Sequence, residues 1–333
     1  MATFVRVQEI EHEVGADGRF ALRVTSPDVE LRGVEGTTAR VRVEFELRGA
    51  SDAEADAAFE AVQYRVNRGD GLLEVSEPKR MEVGLGAIGR LLGVSGIRVD
   101  TRVVAEVPER AAVSYTGVSA DVTGIGLRGM QDYKTVSGDL ALSDLGGPIR
   151  VTGVSSDVSL RAEEPVRLQA NSVSGDLSVI APRLDECRVV TVSGDVELEG
   201  DLAATHHHVE TVSGDLSLGL VGGLTLEVRG LSTDVSVAVA HRSEGSRDRR
   251  RYVIGDGAAT LRFSSMSGDV VVSGARRTAV PPPTVVPHAP KPPAPPAPPL
   301  GPDEQLAVLQ ALERGEIDVD EASRRLAGGR RDA

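Results

Sequence analysis

A five-residue unit recurs eight times along this chain of 333 residues, and it limits the possible folds more than any other feature. Each copy has an aliphatic residue, then Ser, a small residue, Asp and a second aliphatic residue. The copies begin at Val118, Val136, Val154, Val173, Val192, Val212, Leu231 and Met266. Their starts are 18, 18, 19, 19, 20, 19 and 35 residues apart. So regular a step is typical of a repeat architecture in which every copy forms one structural unit.

The alternation of side chains along a β-strand predicts which residues of the unit are buried. Neighbouring strand residues point to opposite faces, so Val136 and Leu140 share one face while Ser137 and Asp139 share the other. We therefore expect each unit to bury its aliphatic residues and to expose Ser and Asp. The middle residue then points inward. Because it is Thr233 in one copy, the position favours a small side chain rather than a positive φ.

Strands that repeat about every 19 residues without a helix between them exclude βαβ units and predict a mainly β fold, a parallel β-solenoid. Only nine residues are aromatic and none is Trp, which fits an interior of stacked Val, Leu and Ile. Before the repeats, alternating strands and a short helix from Ser51 to about Val62 predict a β-rich capping domain over 1–110. The solenoid repeats then cover 111–278. We interpret the Arg-rich stretch 241–252 as a polar loop that leaves the solenoid.

The C-terminal part has a different composition. Proline accounts for 12 of the 22 residues from Pro281 to Pro302, which predicts an extended proline-rich linker over 279–302. Residues 303–333 then predict a short helical hairpin, too small to bury a core of its own. We expect it to dock on a protein partner or on a second copy. Its apolar face consists of Leu306, Leu309, Leu312, Ile317 and Leu326.

Two resemblances accompany these patterns. The repeated Val-Ser-Gly-Asp-Leu units, with Ile254-Gly255-Asp256-Gly257 and the unit at Met266 near the end, resemble the bacterial β-strand-repeat family of putative adhesins, a domain of unknown function. That resemblance implies a β-solenoid, in some cases linked with envelope-stress systems, and supplies no catalytic or ligand residues. Residues 309–322 are similar to SHOCT-like helical hairpins, which implies oligomerisation or docking.

The aspartates of the repeats form the most regular polar feature of the sequence. Stacked coils would place their carboxylates about 5 Å apart. The structural interpretation is that each carboxylate accepts backbone N–H or Ser hydroxyl hydrogen bonds at a turn. A calcium site is disfavoured because Ca²⁺ needs 6–8 oxygen ligands and each coil offers one Asp and one Ser. As a candidate interaction face we take Asp139, Asp157, Asp176, Asp195, Asp215 and Asp234.

Other functional classes find little support in the sequence. No Ser, His and acid combine in a triad-like pattern, so we expect no catalytic residues, no cofactor and no metal. A net charge of −13 disfavours nucleic acid as a partner, and no apolar stretch is long enough for a transmembrane segment. We interpret the glycine-rich apolar stretch 84–96 as a loop, with a weak peripheral contact to a membrane or a partner as the alternative.

The pattern as a whole predicts a non-catalytic scaffold or interaction protein whose C-terminal hairpin serves oligomerisation or docking. One alternative is a surface adhesin or ligand-binding protein, and another is a filament-forming cytoskeletal solenoid. The first residues lack the basic region and apolar run of a signal peptide. We therefore expect a cytoplasmic location.

Overall fold

The computed structural model of the chain describes residues 2–49, 51–78, 98–246 and 249–275. These residues form one mixed sheet of 22 strands and a single helix, which confirms the prediction of a mainly β fold. No helix among them is long and apolar enough to cross a membrane. The loop predicted at 84–96, the proline-rich linker 279–302 and the hairpin 303–333 lie outside the described residues.

The strands are short and follow each other closely along the chain. The N-terminal elements are β1 (Ala2–Glu13), β2 (Arg19–Arg23), β3 (Asp28–Val34), β4 (Thr38–Gly49), α1 (Asp52–Val62), β5 (Arg65–Gly69), β6 (Leu72–Ser76), β7 (Arg98–Pro108), β8 (Ala112–Ser119), β9 (Val122–Ile125), β10 (Gln131–Ser137) and β11 (Leu140–Thr152). The remaining strands are β12 (Val158–Asn171), β13 (Leu177–Val190), β14 (Val196–Leu202), β15 (His206–Glu210), β16 (Leu216–Leu220), β17 (Leu224–Ser232), β18 (Val235–Val237), β19 (His241–Ser246), β20 (Arg249–Ile254), β21 (Ala259–Ser267) and β22 (Val270–Gly274).

Parallel pairing between successive repeats organises the middle of the sheet. Leu140 of β11 pairs with Val158 of β12, which pairs with Leu177 of β13, and Val196 of β14 follows. The pairing step therefore equals the sequence repeat. The strands before and after each Ser-small-Asp segment form two neighbouring rows, because the chain turns a corner at that segment.

The interior consists of the inward-facing residues of both rows. The second aliphatic residue of the unit is buried in seven of the eight copies, and Val235 is the half-buried exception. Tyr115, Tyr133 and Phe263 are fully buried as well. Because every step repeats the same aliphatic position, the apolar side chains of neighbouring repeats cover one another.

The first aliphatic residue of the unit departs from the prediction. Val136 is 48% exposed and Val173 is 49% exposed, and all eight copies have an exposed residue here. In β10 the buried residues include Tyr133 and Thr135, so alternation places Val136 on the outer face. The strand ends at Ser137, and the corner that follows resets the alternation before Leu140. Strand parity therefore does not carry across the unit.

The middle position of the unit is tight, as predicted, although its backbone differs from the prediction in three copies. Ala120 and Thr233 are buried at this position. Gly138, Gly175 and Gly194 adopt φ values of 108°, 110° and 130°, a region that favours glycine. The expectation that φ stays negative was therefore wrong at these three corners.

The C-terminal coil occupies an interior position in the stack. The strands β21 and β22 lie between the coil of β15 and β16 on one side and the coil of β17 and β18 on the other. The stretch 241–252, predicted as a loop, instead contains β19 and β20, which form an antiparallel hairpin that pairs with β17. This hairpin pairs with the outermost strand of the row and extends the sheet there.

At the N-terminal end of the stack, the order of strands in space also differs from their order in the sequence. The strand β2 lies between β6 and β8, and β3 lies between β7 and β9. Beyond β7, the sheet continues in antiparallel pairing through β4 to β1. The sheet thus runs without a break across residue 110. The predicted helix near Ser51 is present as α1 and contacts β4.

Candidate interaction face

The exposed aspartates of the unit form a row of hydrogen bonds that links successive coils. The Oδ1 atom of Asp176 accepts a hydrogen bond from the backbone N–H of Asp195 at 2.8 Å, and Asp176 donates its own N–H to Asp157 at 2.9 Å. The same bond joins every neighbouring pair of the row at 2.8–3.4 Å. In spatial order the row is Asp121, Asp139, Asp157, Asp176, Asp195, Asp215, Asp269 and Asp234.

These bonds agree with the structural interpretation of the aspartates. The Ser-small-Asp segment lies between two strands, so the backbone N–H of its Asp has no partner in the strand pairing. Each carboxylate except the last accepts a hydrogen bond from one such N–H. The side chains predicted as an interaction face, from Asp139 to Asp234, are exposed and lie side by side. In the fold these side chains link neighbouring corners by hydrogen bonds. A role of the aspartates in binding stays a prediction.

Asp176→Asn should change the free energy of unfolding by less than about 1 kcal/mol, because an amide oxygen still accepts the N–H of Asp195. Asp176→Ala removes the acceptor and should cost about 0.5–1.5 kcal/mol. Urea denaturation of the two variants measures both values. Equal destabilisation by Asn and Ala would show that the negative charge, and not the hydrogen bond, matters at this corner.

The sequence prediction missed a second row that runs beside the aspartates. The outward-facing first residues of the units form an aliphatic ladder, and they account for eight of the thirteen exposed large hydrophobic residues among the described part of the chain. In spatial order the aliphatic ladder is Val118, Val136, Val154, Val173, Val192, Val212, Met266 and Leu231. The buried Thr135 directly before Val136 was the signal that could have revealed it.

Serines separate the aliphatic ladder from the aspartates. The backbone N–H of Ser155 donates to the carbonyl oxygen of Val136 at 2.8 Å, and Ser174 repeats this bond with Val154 at 2.7 Å. Because these are ordinary interstrand hydrogen bonds, neighbouring ladder side chains lie one strand spacing apart, about 4.8 Å. The face therefore carries three parallel rows: aliphatic, hydroxyl and carboxylate.

The buried nucleophilic and titratable groups do not open onto this face. Cys187 is 1% exposed, and burial raises the pKa of its thiol to about 12. Burial also lowers the pKa of His207, whose Nε2 lies 2.9 Å from the carbonyl oxygen of Ala203. His207 belongs to β15 and points inward. Among the described residues, no three His, Cys, Asp or Glu side chains group as a metal site requires.

The fold and this face define a class of protein, a stack of β-strand repeats that presents one regular surface. Residues 133–273 match the model of the Toastrack DUF4097 family. No curated protein matches the chain.

Several solved structures are similar to the chain at low sequence identity. A putative adhesin from Bacteroides fragilis shares 11% identity with a TM-score of 0.44, covering 80% of this chain and 97% of that one. A protein from Parabacteroides distasonis described as a putative lipid binding protein shares 12% identity with a TM-score of 0.37, covering 81% and 95%. A putative cell adhesion protein from Clostridium sporogenes shares 12% identity with a TM-score of 0.24, covering 80% and 99%.

Proposed function

We propose that this chain is a non-catalytic scaffold, a parallel β-solenoid on which a second copy packs against the aliphatic ladder. The observation that carries the proposal is the concentration of exposed aliphatic side chains in one row. Scattered exposed hydrophobic residues are normal, whereas a contiguous apolar patch marks an interaction surface. Eight side chains at about 4.8 Å spacing extend over about 34 Å.

The pitch of the aliphatic ladder favours a second copy over a helical partner. Two copies have the same strand spacing, so every step of one ladder meets a step of the other. An α-helix repeats every 5.4 Å, so its side chains would drift by about 0.6 Å per step and by about 4 Å over seven steps. A helix thus loses register by almost one whole step of the ladder over its length.

Charge indicates how the two copies face each other. The acidic row lies on one side of the aliphatic ladder only, beyond the serines. A twofold axis that lies in the interface perpendicular to the ladders would make them antiparallel and bring the two acidic rows together. A twofold axis parallel to the ladders would make them parallel and place the acidic rows on opposite sides of the interface. Since like charges repel, we expect the two ladders to run parallel in a symmetric dimer.

The experiment compares the mass of the full chain with that of a variant carrying Val154→Asp, Val173→Asp and Val192→Asp. We expect a dimer for the parent and a monomer for the triple variant, with an unchanged circular dichroism spectrum because all three residues are exposed on the single chain. Val271→Asp is the matched control, since Val271 is 45% exposed but belongs to β22, outside the ladder. Sedimentation velocity measures all three masses. A monomeric parent, or a triple variant that stays dimeric, would overturn the proposal.

A cysteine at one end of the aliphatic ladder tests the orientation. Val118→Cys should form a disulfide with the same residue of the second copy when the ladders run parallel, because the ends of the ladders then coincide. In an antiparallel dimer the two Val118 positions lie at opposite ends, and oxidation would leave the copies unlinked. The buried Cys187 does not compete for the bond.

The remaining parts of the functional hypothesis are separate proposals. Residues 303–333 are proposed as a helical docking module at the end of a proline-rich linker. Deleting them shows how much of the self-association depends on this module and how much on the aliphatic ladder. The cytoplasm is the proposed location, since a single buried cysteine without a disulfide fits a reducing compartment. Cell fractionation tests the location.

A further inference from the structure

A cleft of about 290 Å³ lies where β10, β11, β12 and β13 run side by side. Its lining includes the exposed Met130 and three exposed arginines, Arg150, Arg167 and Arg188. This volume is at the lower end of the range for small-molecule sites, of about 300–1,000 Å³. The cleft is separate from the three rows at the corners.

The three arginines are close neighbours on the outer side of the sheet. Arg150 is in register with Gln169, and Gln169 is in register with Arg188. The two arginines are therefore two strand spacings apart, about 9.6 Å between backbones, with the amide of Gln169 between them. Arg167 lies two residues before Gln169 on β12 and so points to the same side.

The three cleft arginines differ from the arginines that form ion pairs on neighbouring surfaces. On β4, for example, Arg42 and Arg48 each form an ion pair with a nearby carboxylate. Within the described residues, none of the three cleft arginines has a carboxylate oxygen within 4.0 Å. Glu186 at the cleft is in register with Arg167 and forms no ion pair with it. In a chain of net charge −13, three unpaired guanidinium groups around one cleft form a local site for an anion.

The cleft also contains an unpaired hydrogen-bond acceptor. The Oδ2 atom of Asp132 lies 3.2 Å from the Nζ atom of Lys134, while its Oδ1 atom is buried and has no hydrogen-bond partner among the described residues. A carboxylate oxygen cannot accept a hydrogen bond from an oxygen that carries no proton, so its natural ligand is a hydroxyl or another donor. A buried acceptor without a donor is destabilising, and a ligand hydroxyl would supply the missing hydrogen bond.

We propose that this cleft binds a small acidic sugar or sugar phosphate. The guanidinium groups of Arg150, Arg167 and Arg188 would hold the carboxylate or phosphate, and the Oδ1 atom of Asp132 would accept a hydroxyl. The exposed Met130 and Pro148 offer an apolar surface for the carbon face of the ring. An anion without hydroxyls would leave Asp132 unpaired, and a neutral sugar would leave the arginines unpaired.

The test is isothermal titration of the full chain with four probes: glucose 6-phosphate, glucuronate, inorganic phosphate and glucose. We expect the first two to bind at least tenfold more tightly than phosphate or glucose. The variant with Arg150→Gln and Arg188→Gln should weaken their binding at least tenfold. Asp132→Ala removes the acceptor and should reduce the affinity for glucose 6-phosphate toward that for phosphate. Arg42→Gln with Arg48→Gln removes the same charge from β4 and is the matched control, which should bind as the parent does.

Other outcomes overturn the proposal. Absence of binding by both acidic sugars at millimolar concentration would rule out the site. Equal binding of phosphate and glucose 6-phosphate, with a ratio unchanged by Asp132→Ala, would reduce it to a general anion contact. Equal losses in the cleft variant and in the control on β4 would mean that net charge, and not the cleft, determines the affinity.

Discussion

Leu216→Asp is expected to lower the free energy of unfolding by about 4 kcal/mol or more. Leu216 is 0% exposed and lies in register between Val196 of one neighbouring coil and Val270 of the other. An aspartate at this position would bury a carboxylate among aliphatic side chains on both sides, without a cation to pair with. The lost apolar contact and the unpaired charge act together. Equilibrium denaturation in urea, followed by far-ultraviolet circular dichroism, measures the change.

Leu231→Asp is the matched control for this substitution. Leu231 is 83% exposed, so the same exchange of residues should stay within about 0.5 kcal/mol of the parent. The two variants also test which aliphatic residue of the unit is buried. Leu216 is the second aliphatic residue of one copy, and Leu231 is the first aliphatic residue of the next. Similar losses for both variants, measured at a concentration at which the chain is monomeric, would show that the first aliphatic residue supports the core of its own chain and does not lie on its outer face.

Gly194→Ala should also destabilise strongly, by about 3 kcal/mol or more, since two costs add. Gly194 has φ of 130°, and a residue with a Cβ in such a conformation costs about 1–3 kcal/mol. In addition, a Cβ built on Gly194 would overlap the carbonyl oxygen of Gly175 in the neighbouring coil. Overpacking of this kind typically costs a further 1–3 kcal/mol. The melting temperature and the urea midpoint should both fall.

Gly36→Ala separates the two costs. Gly36 has nearly the same φ, 128°, but a Cβ there would meet nothing within 4 Å. This variant should show the backbone cost alone, so its loss of stability should be about half that of Gly194→Ala or less. If both variants lose the same stability, the close stacking of Gly194 on Gly175 contributes nothing, and the glycine is there only for its backbone conformation.

The repeat spacing predicted the parts of the fold that depend on local pattern. The interval from Leu140 to Val158 and on to Leu177 predicted both the parallel register and the buried position, because equal steps in sequence become equal steps in space. The hydrogen-bonding role of the aspartates was also predictable, since an Asp after a small residue at a corner commonly accepts a backbone N–H.

Other features depend on information that the repeat does not contain. The exposure of Val136 follows from where the strand ends, at Ser137, and five residues of sequence do not show that boundary. The sequence does not show that β22 pairs between β16 and β18, because the copies of the unit are so similar that any of them could pair with any other. The cleft likewise combines Arg150, Arg167 and Arg188, which lie outside the five-residue unit and meet only after three strands have paired.

The interior place of the last coil has a consequence for how the protein is made. A ribosome releases β17 and β18 before β21 and β22. The nascent chain must therefore leave a gap one strand wide in each of the two rows, or first pair β17 with β15 and later give that pairing up. Either way, the contacts of the finished stack cannot form until Gly274 has emerged. A chain that stops at Ser246 would expose two unfilled edges. We therefore expect such fragments to aggregate or to be degraded, although each of their coils has the same sequence pattern as the intact protein.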